Sequence, residues 1–222
     1  PLRLAYVIDS LKRAGTQTAL LHLAEGLAQR GYAQRVYCLN AAAHPDLLAR
    51  LAAAGIPVAI LGKGELLSGV GLYRLWTAFR RWRPHVVQTF LPFADTIGRT
   101  VAHFAGVPAT ISSIRARNIE KPGWQRWLDR RTMPWADRVV FNTRHAVDFA
   151  RTHEGVRDPQ IVYIPNGVLA PKLDPEAGRA LRESRGVPKE ARALGVVGRL
   201  AWQKGHASLL QALALLREVH PH

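Results

Sequence analysis

Cysteine is almost missing from this chain. Its 222 residues hold one, Cys38. A lone thiol cannot close an internal disulfide, so the fold has no covalent staple of its own. Cys38 lies in an apolar, strand-like run and reads as a small buried residue. Acidic residues are scarce as well, 16 against 31 lysines and arginines. No stretch of about 18 apolar residues is present, which excludes an evident membrane-spanning helix. No secretory leader pattern opens the chain, and a cytoplasmic, soluble protein is the expectation. Repeats and low-complexity tracts are absent. No His/Cys spacing suits a metal, and no Gly-x-Ser-x-Gly nucleophile turn appears. No basic-aromatic signature of a nucleic-acid module is seen either, so neither a metal nor a nucleic acid is expected.

Apolar residues make up 48% of the chain and charged residues 21%, a balance that supports a sizeable core. Net charge is +15, and arginine supplies 25 of the cations. Such a field favours phosphate-bearing substrates, polyanions or anionic membrane surfaces.

Strand-like and helical segments alternate from the start, which predicts an α/β fold with a parallel sheet. Strands are expected at Leu4–Ile8, Arg35–Leu39, Pro57–Leu61, His85–Thr89, Ala109–Ser112, Arg138–Phe141 and Ile161–Ile164. Between them, apolar residues recur at helical spacing, as in Leu20, Leu23, Ala24 and Leu27. Gly62 to Gly71 holds four glycines and reads as a mobile loop. Pro165-Asn166-Gly167 reads as a sharp turn, with Gly167 at positive φ. Residues 171–190 are polar and carry three prolines, which suggests a linker with a short helix over Glu176–Arg185. A doubly wound domain is thus expected over 1–170 and the start of a second over 191–222.

That second segment, from Leu194 to Pro221, is the most informative. Leu194, Val196 and Val197 read as a strand, Gly198 to Gly205 as a loop, and Leu209, Ala212, Leu213 and Leu216 as one helix face. Arg199 and Lys204 flank the loop before a helix N-terminus, whose N–H groups and dipole add to their field. The geometry suits a diphosphate.

VGRL followed by QKG and a Leu/Ala-rich helix resembles the start of the second domain of family 4 glycosyltransferases. The resemblance implies the GT-B fold, two Rossmann-like domains, with Arg199 and Lys204 on the diphosphate of a nucleotide-sugar donor. It implies transfer of a hexose-type sugar with retained configuration, without a metal or other cofactor, to a glycan or lipid-linked acceptor. It also implies that most of the donor domain, including paired glutamates, lies outside these 222 residues, and that this chain alone is inactive. A sugar-nucleotide epimerase of the same fold and a non-catalytic acceptor-binding subunit are the competing expectations.

Ligands of open α/β sheets bind beyond the strand C-termini, which selects the loops to inspect. Gly15 and Thr16 stand at a helix start that can hold an anion or simply be capped by Thr16. Phe90 stands near the place where the family carries a sugar-contacting His. Asp95 can bind an acceptor hydroxyl or cap its helix. Arg115 and Arg117 follow Ser112-Ser113 and suit a phosphate or sugar. Asn166 and Gly167 resemble the family's hinge-side turn. Lys121, Trp124, Arg126, Trp127, Arg130, Arg131 and Trp135, with the Trp76–Arg83 stretch, form an alternative surface for an anionic membrane, such as the inner face of the cell membrane. The competing reading places the tryptophans in the core, and His103 as well.

Overall fold

A computed structural model describes residues 1–115, 122–167, 170, 173–198 and 200–219. The chain folds as two compact units, Pro1–Val168 and Leu169–His222.

The first unit is built on a seven-stranded, all-parallel sheet in the order β3-β2-β1-β4-β5-β6-β7. Its strands are β1 (Arg3–Ile8), β2 (Ala33–Cys38), β3 (Val58–Ile60), β4 (Val86–Phe90), β5 (Ala109–Ile114), β6 (Arg138–Phe141) and β7 (Ile161–Tyr163). The order reverses direction between β1 and β4, the place where doubly wound sheets open a crevice. Side-chain alternation sends Ala5 and Val7 to one face and Tyr6 and Ile8 to the other. On the first face they pack with α4 (Val70–Trp82) and α5 (Pro92–Ala105), through Leu75, Phe79 and Ala102. On the second they pack with α1 (Gly15–Ala28) and α2 (Pro45–Ala53), through Leu20, Leu21 and Leu47. Cys38 is buried in that second cluster, and burial pushes its thiol up from the ordinary range. Beyond β5, α6 (Gly123–Thr132) and α7 (Arg144–His153) complete the unit.

Several elements depart from the sequence reading. Gly62–Gly71 is not a loop throughout: α3 spans Lys63–Leu67, and Arg74 on α4 clamps it through Glu65 at 2.5 Å. Gly69 supplies the left-handed residue that separates the two helices. Gly167 does not adopt positive φ, and a Cβ there would meet nothing, so no steric demand selects glycine. His103 is exposed, not core, and its ring stacks on Trp135 at 4.3 Å. Trp124 and Trp127 are each 58% exposed, which removes them from the core.

In the second unit, α8 (Pro175–Ser184) is capped by Asp174, whose carboxylate accepts from the Glu176 and Ala177 N–H groups. A 3-10 turn (Trp202–Lys204) and Gly205 at φ 67° lead into α9 (His206–Val219). The strand expected at Leu194–Val197 is not formed. A strand is held by ladder hydrogen bonds to a neighbour, and the described residues of this unit contain no other strand to pair with.

Candidate functional site

The C-terminal ends of β1, β4 and β5 lie side by side in the sheet, and the segment after β7, beyond β6, is tied to them through Asn166. At the end of β1, Asp9 reaches across to α5. Its carboxylate accepts from the Ala94 N–H at 2.5 Å and the Phe93 N–H at 3.3 Å. These are first-turn N–H groups that no residue of α5 caps. The cap frees Leu91 to serve as a sharp corner: it takes φ 78°, rare for a residue with a Cβ. Nothing in the sequence marks Leu91 as strained, and the glycine that usually signals such a corner is absent.

Asp95 lies inside the first turn of α5, not at its cap. It is buried and accepts the Thr89 hydroxyl at 2.5 Å. The cap reading of Asp95 therefore needs correction: its carboxylate binds its own strand rather than the helix end. Phe90 is also corrected. Its ring is fully buried, tilted against Tyr6 at 6.2 Å, and offers no face to a sugar. It serves as a floor instead, with the Arg115 guanidinium over it at 5.8 Å. Thr16 is not a helix cap either. The N-cap of α1 is Ala14, which has no side-chain acceptor, and Thr16 lies in the first turn with Gly15 as the first helical residue. The loop before it is tied down by Gln17, whose Nε2 donates to the Ser10 carbonyl at 3.0 Å.

These residues converge. Thr16, Leu91, Asp95, Ser113 and Arg115 line one small cavity of about 30 Å³. Arg115 donates to the Asn166 side chain, which brings the segment after β7 to the same place. Among the described residues the Arg115 Nε is buried without a partner, and burial pushes the guanidinium below its ordinary pKa. A desolvated cation beside an uncapped helix N-terminus is suited to an anionic group. Gly15, Thr16, Arg115 and Asn166 thus come together, with Phe90 and Asp95 beneath. Gly167 follows Asn166 and is exposed. Arg117 lies outside the described residues, as does Lys121.

On the second unit, Lys204 is exposed at the end of the 3-10 turn, one residue before Gly205. Its side chain passes Gly198 closely enough that a Cβ there would sit 3.7 Å from Lys204 Cγ. Arg199, the other expected diphosphate ligand, lies outside the described residues. Among the described residues no cluster of His, Cys, Asp or Glu could hold a metal, and no helix is long and apolar enough to cross a membrane.

Residues 14–167 match the model of the glycosyl transferase 4-like domain. A D-inositol 3-phosphate glycosyltransferase of Corynebacterium kroppenstedtii is 29% identical over 113 residues, half of this chain and a quarter of that protein. Among solved structures, a glycosyltransferase from Rickettsia africae superposes with a TM-score of 0.78 at 17% identity, over 98% of this chain and 58% of that one. Anabaena HepE in complex with UDP and glucose gives 0.77 at 17% identity, over 97% and 58%. The chain therefore spans little more than half the length of these structures. The likeness places its fold in the GT-B class. UDP-N-acetylglucosamine 2-epimerases share the fold at lower TM-scores.

Proposed function

The chain belongs to the glycosyl transferase 4-like family, and from that we propose that it is the acceptor side, with the opening of the donor side, of a glycosyltransferase. The reaction moves a sugar from a nucleotide-sugar donor to a glycan or lipid-linked acceptor. The observation that carries this reading is the convergence of Thr16, Arg115 and Asn166 at the strand C-termini, around a guanidinium whose Nε has no partner among the described residues. An acceptor bound there meets a fixed positive group and the N–H groups of α1.

The donor diphosphate is assigned to Arg199, Lys204 and the N-terminus of α9. Two cations and a helix dipole aimed at the departing diphosphate stabilise charge that develops in the transition state, an electrostatic contribution to catalysis. The sugar is a hexose, its configuration is retained, and no metal takes part. The UDP and glucose bound by HepE make UDP-glucose the first donor to try. The 222 residues alone lack turnover, because the family's paired glutamates are not among them. The exposed Trp124 and Trp127, with Arg126, Arg130 and Arg131, support peripheral contact with an anionic membrane on the cytoplasmic side.

The test is steady-state kinetics on the complete gene product. Lys204→Ala should raise the donor KM or lower kcat by about tenfold or more. Arg115→Ala should raise the acceptor KM and leave the donor KM within twofold. Unchanged donor kinetics in Lys204→Ala would remove that residue from the reaction. Interconversion of the donor without acceptor would instead favour the epimerase.

A further inference from the structure

We propose that the opposite end of the sheet carries a second site, one for a small organic phosphate with an apolar body. A cavity of about 270 Å³ opens there, between the starts of β1, β4 and β5 and the C-terminal ends of α4 and α5. A six-residue strand such as β1 spans roughly 17–20 Å, so this cavity is remote from the cluster around Arg115. Its polar lining is Arg3, Arg80, Arg83 and His85, all donors, with no carboxylate. Its apolar lining includes Phe79, Pro84 and Val107.

Helix capping accounts for only part of this charge. Arg3 Nε donates to the Arg83 carbonyl at 2.8 Å, and Arg80 reaches the Ala105 carbonyl at 3.5 Å. A guanidinium has five N–H donors, so each keeps most of them for another acceptor. The Arg83 side chain makes no hydrogen bond or ion pair among the described residues. His85 is set as a donor too. Its Nδ1 accepts from the Arg3 N–H at 2.9 Å, which leaves the ring proton on Nε2.

Arg83 also stands where a glycine would be easier. α4 and α5 end side by side, each on a left-handed residue. α5 uses Gly106 at φ 70°, and α4 uses Arg83 at φ 50°, ψ 64°. A side chain there strains the backbone, and capping needs none. The cation stands on that strained corner, at the mouth of a cavity lined by no carboxylate. Guanidinium groups match phosphate oxygens in pairs, and the apolar lining suits a ring or short chain attached to the phosphate.

The probe is phenyl phosphate, titrated into the 222-residue chain by calorimetry at low salt, beside inorganic phosphate. Phenyl phosphate should bind saturably and at least fivefold more tightly than inorganic phosphate. Arg83→Gly removes the cation while easing the backbone, so it should melt no earlier than the parent and bind at least fivefold more weakly. Arg80→Gln should weaken binding similarly. Arg81→Gln makes the same charge change outside the cavity and should stay within twofold. Absence of saturable binding, an equal loss in Arg81→Gln, or unchanged binding in both Arg83→Gly and Arg80→Gln overturns the proposal.

Discussion

The guanidinium of Arg99 and the carboxylate of Asp129 meet at 2.9 Å with 1% and 2% of their side chains exposed, joining α5 to α6. Arg99 also donates to Ser112 at 2.9 Å and to Thr132, and Asp129 accepts the Thr96 hydroxyl at 2.5 Å. A buried charge with one partner removed is left desolvated and uncompensated, which typically costs about 3–5 kcal/mol. Asp129→Ala should therefore lower stability by that order in urea melts. Arg99→Met combined with Asp129→Leu should cost clearly less than the two single changes added together, because neither charge is then stranded.

Gly98 has no room for a methyl group. A Cβ there would stand 2.4 Å from Thr89 Cγ2 and 3.3 Å from Val7 Cβ. Helix propensity favours alanine by about 1 kcal/mol, but overpacking against a strand costs about 1–3 kcal/mol. Gly98→Ala should lower the melting temperature. Adding Thr89→Ser, which deletes the clashing methyl and keeps the hydroxyl for Asp95, should recover part of the loss.

Asp9 caps α5 from a different loop. Removing an N-terminal cap costs about 0.5–2 kcal/mol. Asp9→Ala should show that loss in denaturant melts, and Asp9→Asn a smaller one. Because Leu91 holds its strained corner next to that cap, exchange of the Phe93 and Ala94 amide hydrogens should quicken in Asp9→Ala.

Tyr6, Tyr37 and Cys38 are all pushed up by burial, the thiol from 9.0 and the phenols from 10.0. The folded chain keeps them neutral where the unfolded chain ionises. Their contribution is complete below pH about 9 and is lost as pH rises toward the folded values. Melting temperature should fall between pH 9 and 11, and less steeply in a Tyr6→Phe variant. A flat profile would contradict the burial of these groups.

Much of the first unit was legible from pattern. Alternating apolar runs and helical stripes placed seven strands and their helices, because burial on both faces of a parallel sheet leaves that periodicity in the residues themselves. The cap of α7 is equally local: Thr143 accepts the Ala146 N–H, a bond between neighbours in sequence. Asp95 and Phe90 were misread for the converse reason: Thr89 and Asp95 meet through a strand-to-helix corner whose strain, at Leu91, has no sequence mark. The arginine of greatest consequence to the fold, Arg99, looked like one of 25.

By itself the sequence determined the fold class, the family and the basic character, since all three rest on local order, spacing and composition. Tertiary structure decided which of the polar residues face each other. It buried Arg99 with Asp129, put Phe90 beneath Arg115, and brought Asn166 to Arg115 across 51 residues. Such pairings depend on strand order and on the corner between strand and helix, and neither is written in the spacing of the residues involved.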